Sequence, residues 1–421
     1  MEKYKAIYTI LLISLSALIF SRCLNNNVQE KDVRGEQYAG SEACIRCHND
    51  ITTSYGYTAH HKTSSAIHDS ALMKLYTVSS DTFSFSNEFV VVQKKQDSFF
   101  QSLYQYGKLI RTHHFDVAFG SGEKAQTFAY WKDKQLYQLP LSFFHAIPGW
   151  ANSPGFPAYT AHFNRAIVSR CFECHGSYIE KDFEQTGSLS VKENLNRASV
   201  IYGIDCERCH GPAARHVIFH SDNPSEKEAK YIVKWADLSR QQKLDACAVC
   251  HSGNDLATQK TTFLFQPGDT LSNFYIAAFT SSTPVPDVHG KQMQLLAASA
   301  CFQNSTTMDC TSCHNTHKKE PADIALFSQR CMNCHQPAGN HFCKLANTVG
   351  PAITQNCIDC HMPDRASKTI NFQKAGEDKT TAYYLRTHKI AVYPEETNNV
   401  IDKLNSAAKE FLKTSQKQRT Q

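Results

Sequence analysis

The sequence has no excess of charge of either sign. Its 44 Lys and Arg stand against 39 Asp and Glu, a net charge of +5. A nucleic-acid binder usually carries a larger and clustered basic surplus, so that class is set aside, while a negatively charged partner protein is not. Long apolar runs are missing beyond residues 6–20, and the mean hydropathy is −0.43. The bulk of the chain therefore reads as soluble, with a modest apolar core. Also missing is any C-x-x-C-K motif.

Cysteine and histidine are abundant instead, at 17 and 20 residues in 421. Fourteen of the cysteines fall into seven copies of C-x-x-C-H. In chain order the copies are Cys44, Cys47, His48; Cys171, Cys174, His175; Cys206, Cys209, His210; and Cys247, Cys250, His251. Then come Cys310, Cys313, His314; Cys331, Cys334, His335; and Cys357, Cys360, His361. Chance at this composition gives on the order of 0.03 copies, and the pattern is that of covalent c-type haem attachment. Thiols at i and i+3 lie on one face of a helical turn. Two such thiols can form thioethers to the haem vinyls, and the next histidine can ligate the iron. Zinc ribbons also use C-x-x-C pairs, but give no reason for a histidine after every second cysteine. The expectation is seven covalent c-type haems, about 60 residues each. So dense a loading makes the haems much of the core and couples folding to their insertion.

Thirteen histidines remain. His317 follows His314 by three residues, too close to cross to the far face of the same haem, so its target is a neighbour. His216 follows His210 beyond the helix-breaking Gly211-Pro212 and also points to a neighbour. His60 is a further candidate sixth ligand, with His61 as rival. His162, His289, His341 and His388 complete the set. His68, His113, His114, His145 and His220 read as bystanders, and Met308 and Met362 as weak alternatives. Filling both axial positions favours electron transfer; an open one favours small-molecule chemistry.

The N-terminus reads as an export signal: basic "MEKYK", then the short apolar run, then Ser21, Arg22 and Cys23. An uncleaved anchor helix is the alternative. Cys23 stands where a lipoprotein signal places its lipidated cysteine, although Arg22 departs from the small residue usual there. Cleavage without a lipid is the other outcome. Either way the mature chain lies outside the cytoplasm, periplasmic or associated with the outer membrane.

The expected organisation is a signal at 1–22, a polar tether at 23–37 and a haem 1 segment at 38–74. A β-rich unit follows at 75–145, then a six-haem region at 146–390 and a helical tail at 391–421. The β-rich unit rests on alternating Phe, Tyr and Val with turn signals such as "YGK". Its expected role is to cover haem edges, with partner docking as the alternative. Two cysteines of the mature fold, Cys301 and Cys343, belong to no motif, and an oxidising compartment lets them pair as a disulfide.

The stretches "YAGSEACIRCH", "GWANSPGFPAYTAHFNRAI", "CERCHGPAARH" and "SACFQNSTTMDCTSCHNTH" resemble an exported bacterial multihaem cytochrome c family. It is similar in haem packing to the tetrahaem electron acceptor of hydroxylamine oxidoreductase. The resemblance covers most of residues 38–390. It implies mostly bis-histidine haems in stacked and perpendicular pairs, inside a mainly α fold with much irregular structure. The expected function is electron relay between a donor and an acceptor outside the cytoplasm. Partners would be other cytochromes or a membrane quinol-linked complex, with possible attachment through a lipid on Cys23. The alternative is an oxidoreductase acting on a small nitrogen or sulfur compound at one haem with an open distal position.

Overall fold

The computed structural model describes residues 31–67, 82–96, 98–147, 149–157, 159–253, 257–276, 286–320, 323–336, 339, 342–377 and 379–419. The export signal, Cys23, His68 and His341 lie outside this set. The structure is 31% helical and 26% strand, with several sheets. No helix among the described residues is long and apolar enough to cross a membrane.

The β-rich unit is larger than residues 75–145. Four antiparallel strands, Thr82–Ser84, Glu88–Lys95, Ser98–Gln105 and Lys108–His114, form a meander. A seven-stranded antiparallel sheet runs from Ser64–Ala66 through Val117–Phe119, Ala125–Lys132 and Gln135–Gln138 to Ala166–Ile167. Leu141–Phe144 and Gly149–Asn152 branch from it. The outlying strands have two to four residues each, too few to show alternation in sequence.

Alternation drives the pairing. In "SFFQSLYQ" the inward residues Phe99 and Leu103 join Val90, Phe115, Phe128, Leu141, Phe143 and Trp150 in one core shared by both sheets. Inside that core the buried Gln101 acts as a bracket. Its Nε2 donates to the Leu141 carbonyl and its Oε1 accepts from the Leu141 amide, both at 2.9 Å. A buried side-chain amide is tolerated when both of its ends are matched in this way.

The other face of the seven-stranded sheet carries a second core of Val117, Phe119, Ala129, Leu136 and Ile167. Phe172, inside the second C-x-x-C-H motif, is fully buried in it, 5.2 Å from the ring of Phe119. The β unit is thus fixed directly on a motif. Elsewhere the described residues form helices, loops and three two-stranded ribbons: Gly176–Tyr178 with Ile201–Tyr202, Lys181–Gln185 with Val191–Leu195, and Asp364–Phe372 with Thr381–Arg386. The tail forms the helix Pro394–Arg419.

Replacing Gln101 by Ala leaves both Leu141 backbone groups buried without partners. Each such loss costs about 1–3 kcal/mol. The expected outcome is a lower urea midpoint for Gln101→Ala, with Gln101→Glu less damaging than Ala only at acid pH.

Candidate cofactor and metal sites

Each motif sits on a tight turn, and local chemistry sets where the turn begins. Asp205 caps Cys206–His210 by accepting from the Arg208 amide, and Asp309 does the same for Thr311 at the start of Cys310–Ser312. Ser239 and Gln242 form a capping box that opens Arg240–His251. Asp323 caps Ile324–Met332, which carries Cys331. Side-chain oxygens here satisfy amides that a helix start leaves bare.

The motifs converge on one cavity of about 2850 Å³, lined by the cysteines and histidines of motifs 1 to 5 and by Cys331. An ordinary ligand pocket holds roughly 300–1,000 Å³, so this space suits several large groups rather than one. Around it the motifs touch. The thiol of Cys44 hydrogen-bonds that of Cys206, linking motifs 1 and 3. Cys174 meets Cys250 and Cys247 meets Cys310, so motif 4 touches motifs 2 and 5. Cys331 meets Cys357, joining motifs 6 and 7. Cys209 lies within electrostatic reach of Cys250, and Cys313 of Cys334.

The histidines outside the motifs pair with those inside them. His216 faces His48 with ring centroids 6.5 Å apart and planes at 14°. His317 faces His210 at 5.9 Å and 15°, and His388 faces His314 at 6.2 Å and 29°. His60 meets His251 at 6.0 Å and 90°. Two imidazoles bound on opposite sides of one first-row metal, each nitrogen about 2.0–2.1 Å from the ion, have centroids roughly 6.3 Å apart. All four pairs fall near that separation. His289 neighbours His175: burial first, and His289 second, push His175 below the usual imidazole range.

Protonation and orientation also suit metal binding. Burial, then the nearby His251 and His314, push His60 down to about 4. Burial, then His314 and His251, do the same for His388, also to about 4. Both rings stay neutral, the form that ligates metal. The Nδ1 of His216 donates to the Lys230 carbonyl at 2.8 Å, and that of His361 to the Ala391 carbonyl at 2.9 Å. His251 Nδ1 lies 3.4 Å from Gln292 Oε1, and His175 Nδ1 lies 3.0 Å from Thr63 Oγ1. A proton held on Nδ1 leaves the Nε2 lone pair free for a metal, and the partner fixes the ring.

Sequence reasoning missed the residues that lock the motifs together. Glu207, the second residue of "CERCH", is buried and accepts from the amides of Ala39, Gly40 and Ala213 at 2.8–2.9 Å. Arg34 bridges it, at 3.1 Å, to Asp205 at 2.7 Å and Asp32 at 2.9 Å. This cluster clamps the approach to motif 1 onto motif 3. Glu173 in "CFECH" accepts from Thr261 at 2.7 Å, Thr262 at 3.0 Å and Arg170 at 2.7 Å. Asp359 in "CIDCH" pairs with Arg386 on the ribbon that follows. The available signal was a carboxylate inside the motif, at a position that haem attachment leaves free.

Gly203 shows how closely the segments approach. Its φ is +65°, and a Cβ there would lie 2.0 Å from the His61 carbonyl oxygen. Next to it, the Ile204 amide donates to the His60 carbonyl at 3.0 Å.

Other expected residues lie elsewhere. His162 stands in the β unit, 5.8 Å from the Phe156 ring, and His61 packs edge-on to Tyr55 at 5.8 Å. His113 stacks on Tyr130 at 3.8 Å, His114 faces Asp116 at 3.1 Å and His145 faces Phe143 at 5.2 Å. His220 lies 4.6 Å from His216, ring to ring. Met308 and Met362 line the large cavity. Cys301 and Cys343 are separate free thiols, Cys301 near Cys313 and Cys343 near Cys360.

Removing one partner of a buried ion cluster costs about 3–5 kcal/mol. Glu207→Ala is expected to lower the unfolding free energy by about that amount, read from urea titration. Gly203→Ala is expected to displace His60, seen as an altered optical or EPR signature of one metal site in an otherwise folded protein.

No family model matches the chain, and no solved structure matches it. The chain is 25% identical over 177 residues to the multiheme cytochrome MtrA of Shewanella baltica (strain OS185), covering 40% of this chain. The matched stretch spans 46% of that protein's length. The likeness is to a multihaem cytochrome, the class to which the repeated C-x-x-C-H motifs also point.

Proposed function

We propose that the chain is an exported c-type cytochrome that relays single electrons through seven haems, one on each motif. The observation that carries this reading is the set of four imidazole pairs near 6 Å, each joining a motif histidine to a histidine from another segment. The likeness to a multihaem cytochrome supports the same class.

The fourteen motif cysteines would hold the haems covalently. His48 and His216 would ligate the first iron, His175 and His289 the second, and His210 and His317 the third. His251 and His60 would take the fourth, and His314 and His388 the fifth. His335 and His361 would bind the last two, with His341 as the candidate opposite one of them. Haem iron supplies reversible one-electron Fe(III)/Fe(II) chemistry when bound. At the five sites with paired histidines no position would be left for a substrate, which favours transfer over small-molecule conversion there.

The chain's own part is spacing and shielding. Thiol contacts join motifs 1 and 3, 2 and 4, 4 and 5, and 6 and 7, while motifs 3 and 4, and 5 and 6, lie within electrostatic reach of each other. The β unit covers motif 2 through Phe119 and Phe172. Partners would be redox proteins outside the cytoplasm, either other cytochromes or a membrane quinol-linked complex. A lipid on Cys23 would hold the protein at a membrane. The likeness in packing to the tetrahaem acceptor of hydroxylamine oxidoreductase belongs to this proposal and rests on the motifs.

The exported protein is expected to gain the mass of seven haems and to show low-spin iron at every site with paired histidines. His216→Ala and His60→Ala are each expected to convert one haem to high spin. A mass gain other than seven haems refutes the attachment reading. A high-spin fraction of about one in seven in the native protein, shifting with nitrite or hydroxylamine, would replace pure relay with the oxidoreductase alternative.

A further inference from the structure

The oxygens that face the Nδ1 atoms are not alike. Those beside His216 and His361 are backbone carbonyls, that beside His175 is the Thr63 hydroxyl and that beside His251 is the Gln292 amide. All four are neutral. The Nδ1 of His314 instead faces a carboxylate, Glu320 Oε2 at 3.4 Å.

Glu320 is held in place for this contact. Its other oxygen, Oε1, accepts from the Asn315 amide at 3.0 Å and pairs with Arg330. Arg330 also donates to the Cys313 carbonyl, so the assembly is anchored on motif 5 itself. The Glu320 side chain is only 13% exposed. A charge so little hydrated acts over a few ångströms with far less screening than in water.

We propose that Glu320 sets the reduction potential of the motif 5 haem, holding it below the value that a neutral partner of His314 would give. The proposal rests on the haem reading above. The physical reason has two parts of the same sign. A carboxylate on Nδ1 raises the basicity of Nε2, and a more basic ligand favours the ferric iron. The ferric state also carries one more positive charge than the ferrous state, and the carboxylate stabilises it directly. Arg330 offsets part of this charge, so its removal moves the potential the other way from removal of Glu320. Glu320 touches neither iron nor haem in this account; it acts through His314 as a positioning residue.

The test is a spectroelectrochemical titration of the full-length, haem-loaded protein, reduced stepwise by dithionite through mediators. In Glu320→Gln, one of the seven one-electron components is expected to move to higher potential by roughly tenfold in its equilibrium constant, about 59 mV for one electron. Arg330→Gln is expected to move the same component down, and Glu320→Asp to move it up by less than Glu320→Gln. Haem count and low-spin spectra stay unchanged in all three. A Glu320→Gln protein with seven low-spin haems and a titration superimposable on the native one overturns the proposal. Should Glu320→Gln fail to mature, Gln292→Glu supplies the converse test beside His251. There one component moves down if a carboxylate acts as argued, and an unchanged titration with seven haems overturns it. Failure of the underlying reading looks different: the native peptide spanning Cys310 and Cys313 would then lack the mass of a haem.

Discussion

Everything else in this structure depends on the crossing of imidazole pairs between distant segments. His216 comes from the stretch after motif 3 and faces the histidine of motif 1. His317 comes from the stretch after motif 5 and faces motif 3, while His60, after motif 1, faces motif 4. In each of the four ring pairs among the described residues, the second histidine comes from a segment other than the motif's own. A chain with few long helices and a cavity of about 2850 Å³ along its axis of motifs lacks a continuous apolar core there. On the proposed reading, shared ligation substitutes for it. The metal then does for this region what close-packed side chains do for the β unit.

The polar contacts become intelligible in that light. Arg34, Asp205 and Glu207 would be a poor choice for stability alone, since buried ion clusters often do no better than apolar packing. Here they fix the spacing between the approach to motif 1 and motif 3. The same holds for Glu173 and Asp359, each set inside a motif and each bound to an element outside it. The Nδ1 partners extend the pattern by one shell, fixing ring orientation and, through Glu320, the electronic character of one ligand.

Much of this was legible in the sequence, and the rest was hidden for identifiable reasons. The motifs were unmistakable because they repeat. His60, His216, His317 and His388 stood out by position, but their targets could not be read, since a pairing across 168 residues, as between His48 and His216, leaves no local trace. The β unit announced itself in "FVVVQKK" and "SFFQSLYQ". Its edges did not: Ser64–Ala66 and Ala166–Ile167 are too short to show a period. The ribbon Asp364–Phe372 with Thr381–Arg386 shows no alternation in "TAYYLR", and it lay inside the region expected to hold six haems. Carboxylates such as Glu207 looked like filler between cysteines, because burial is a property of the fold and not of the residue.

The crossed pairs also impose a timetable on a chain that is synthesised from its N-terminus. His60 has already emerged when motif 4 appears, so that site can close at once. The site at His48 stays half-made until His216 arrives, and the site at His210 waits for His317. The site at His48 waits longest, over 168 residues, and the site at His314 is the last of the four to close, with His388. A polypeptide halted after motif 4 would therefore carry one closed crossed pair at His251 and one at His48, with His210 still bare. The last stretch of the chain is thus a seal applied after the rest is in place, and its loss would leave a molecule assembled in order but never finished.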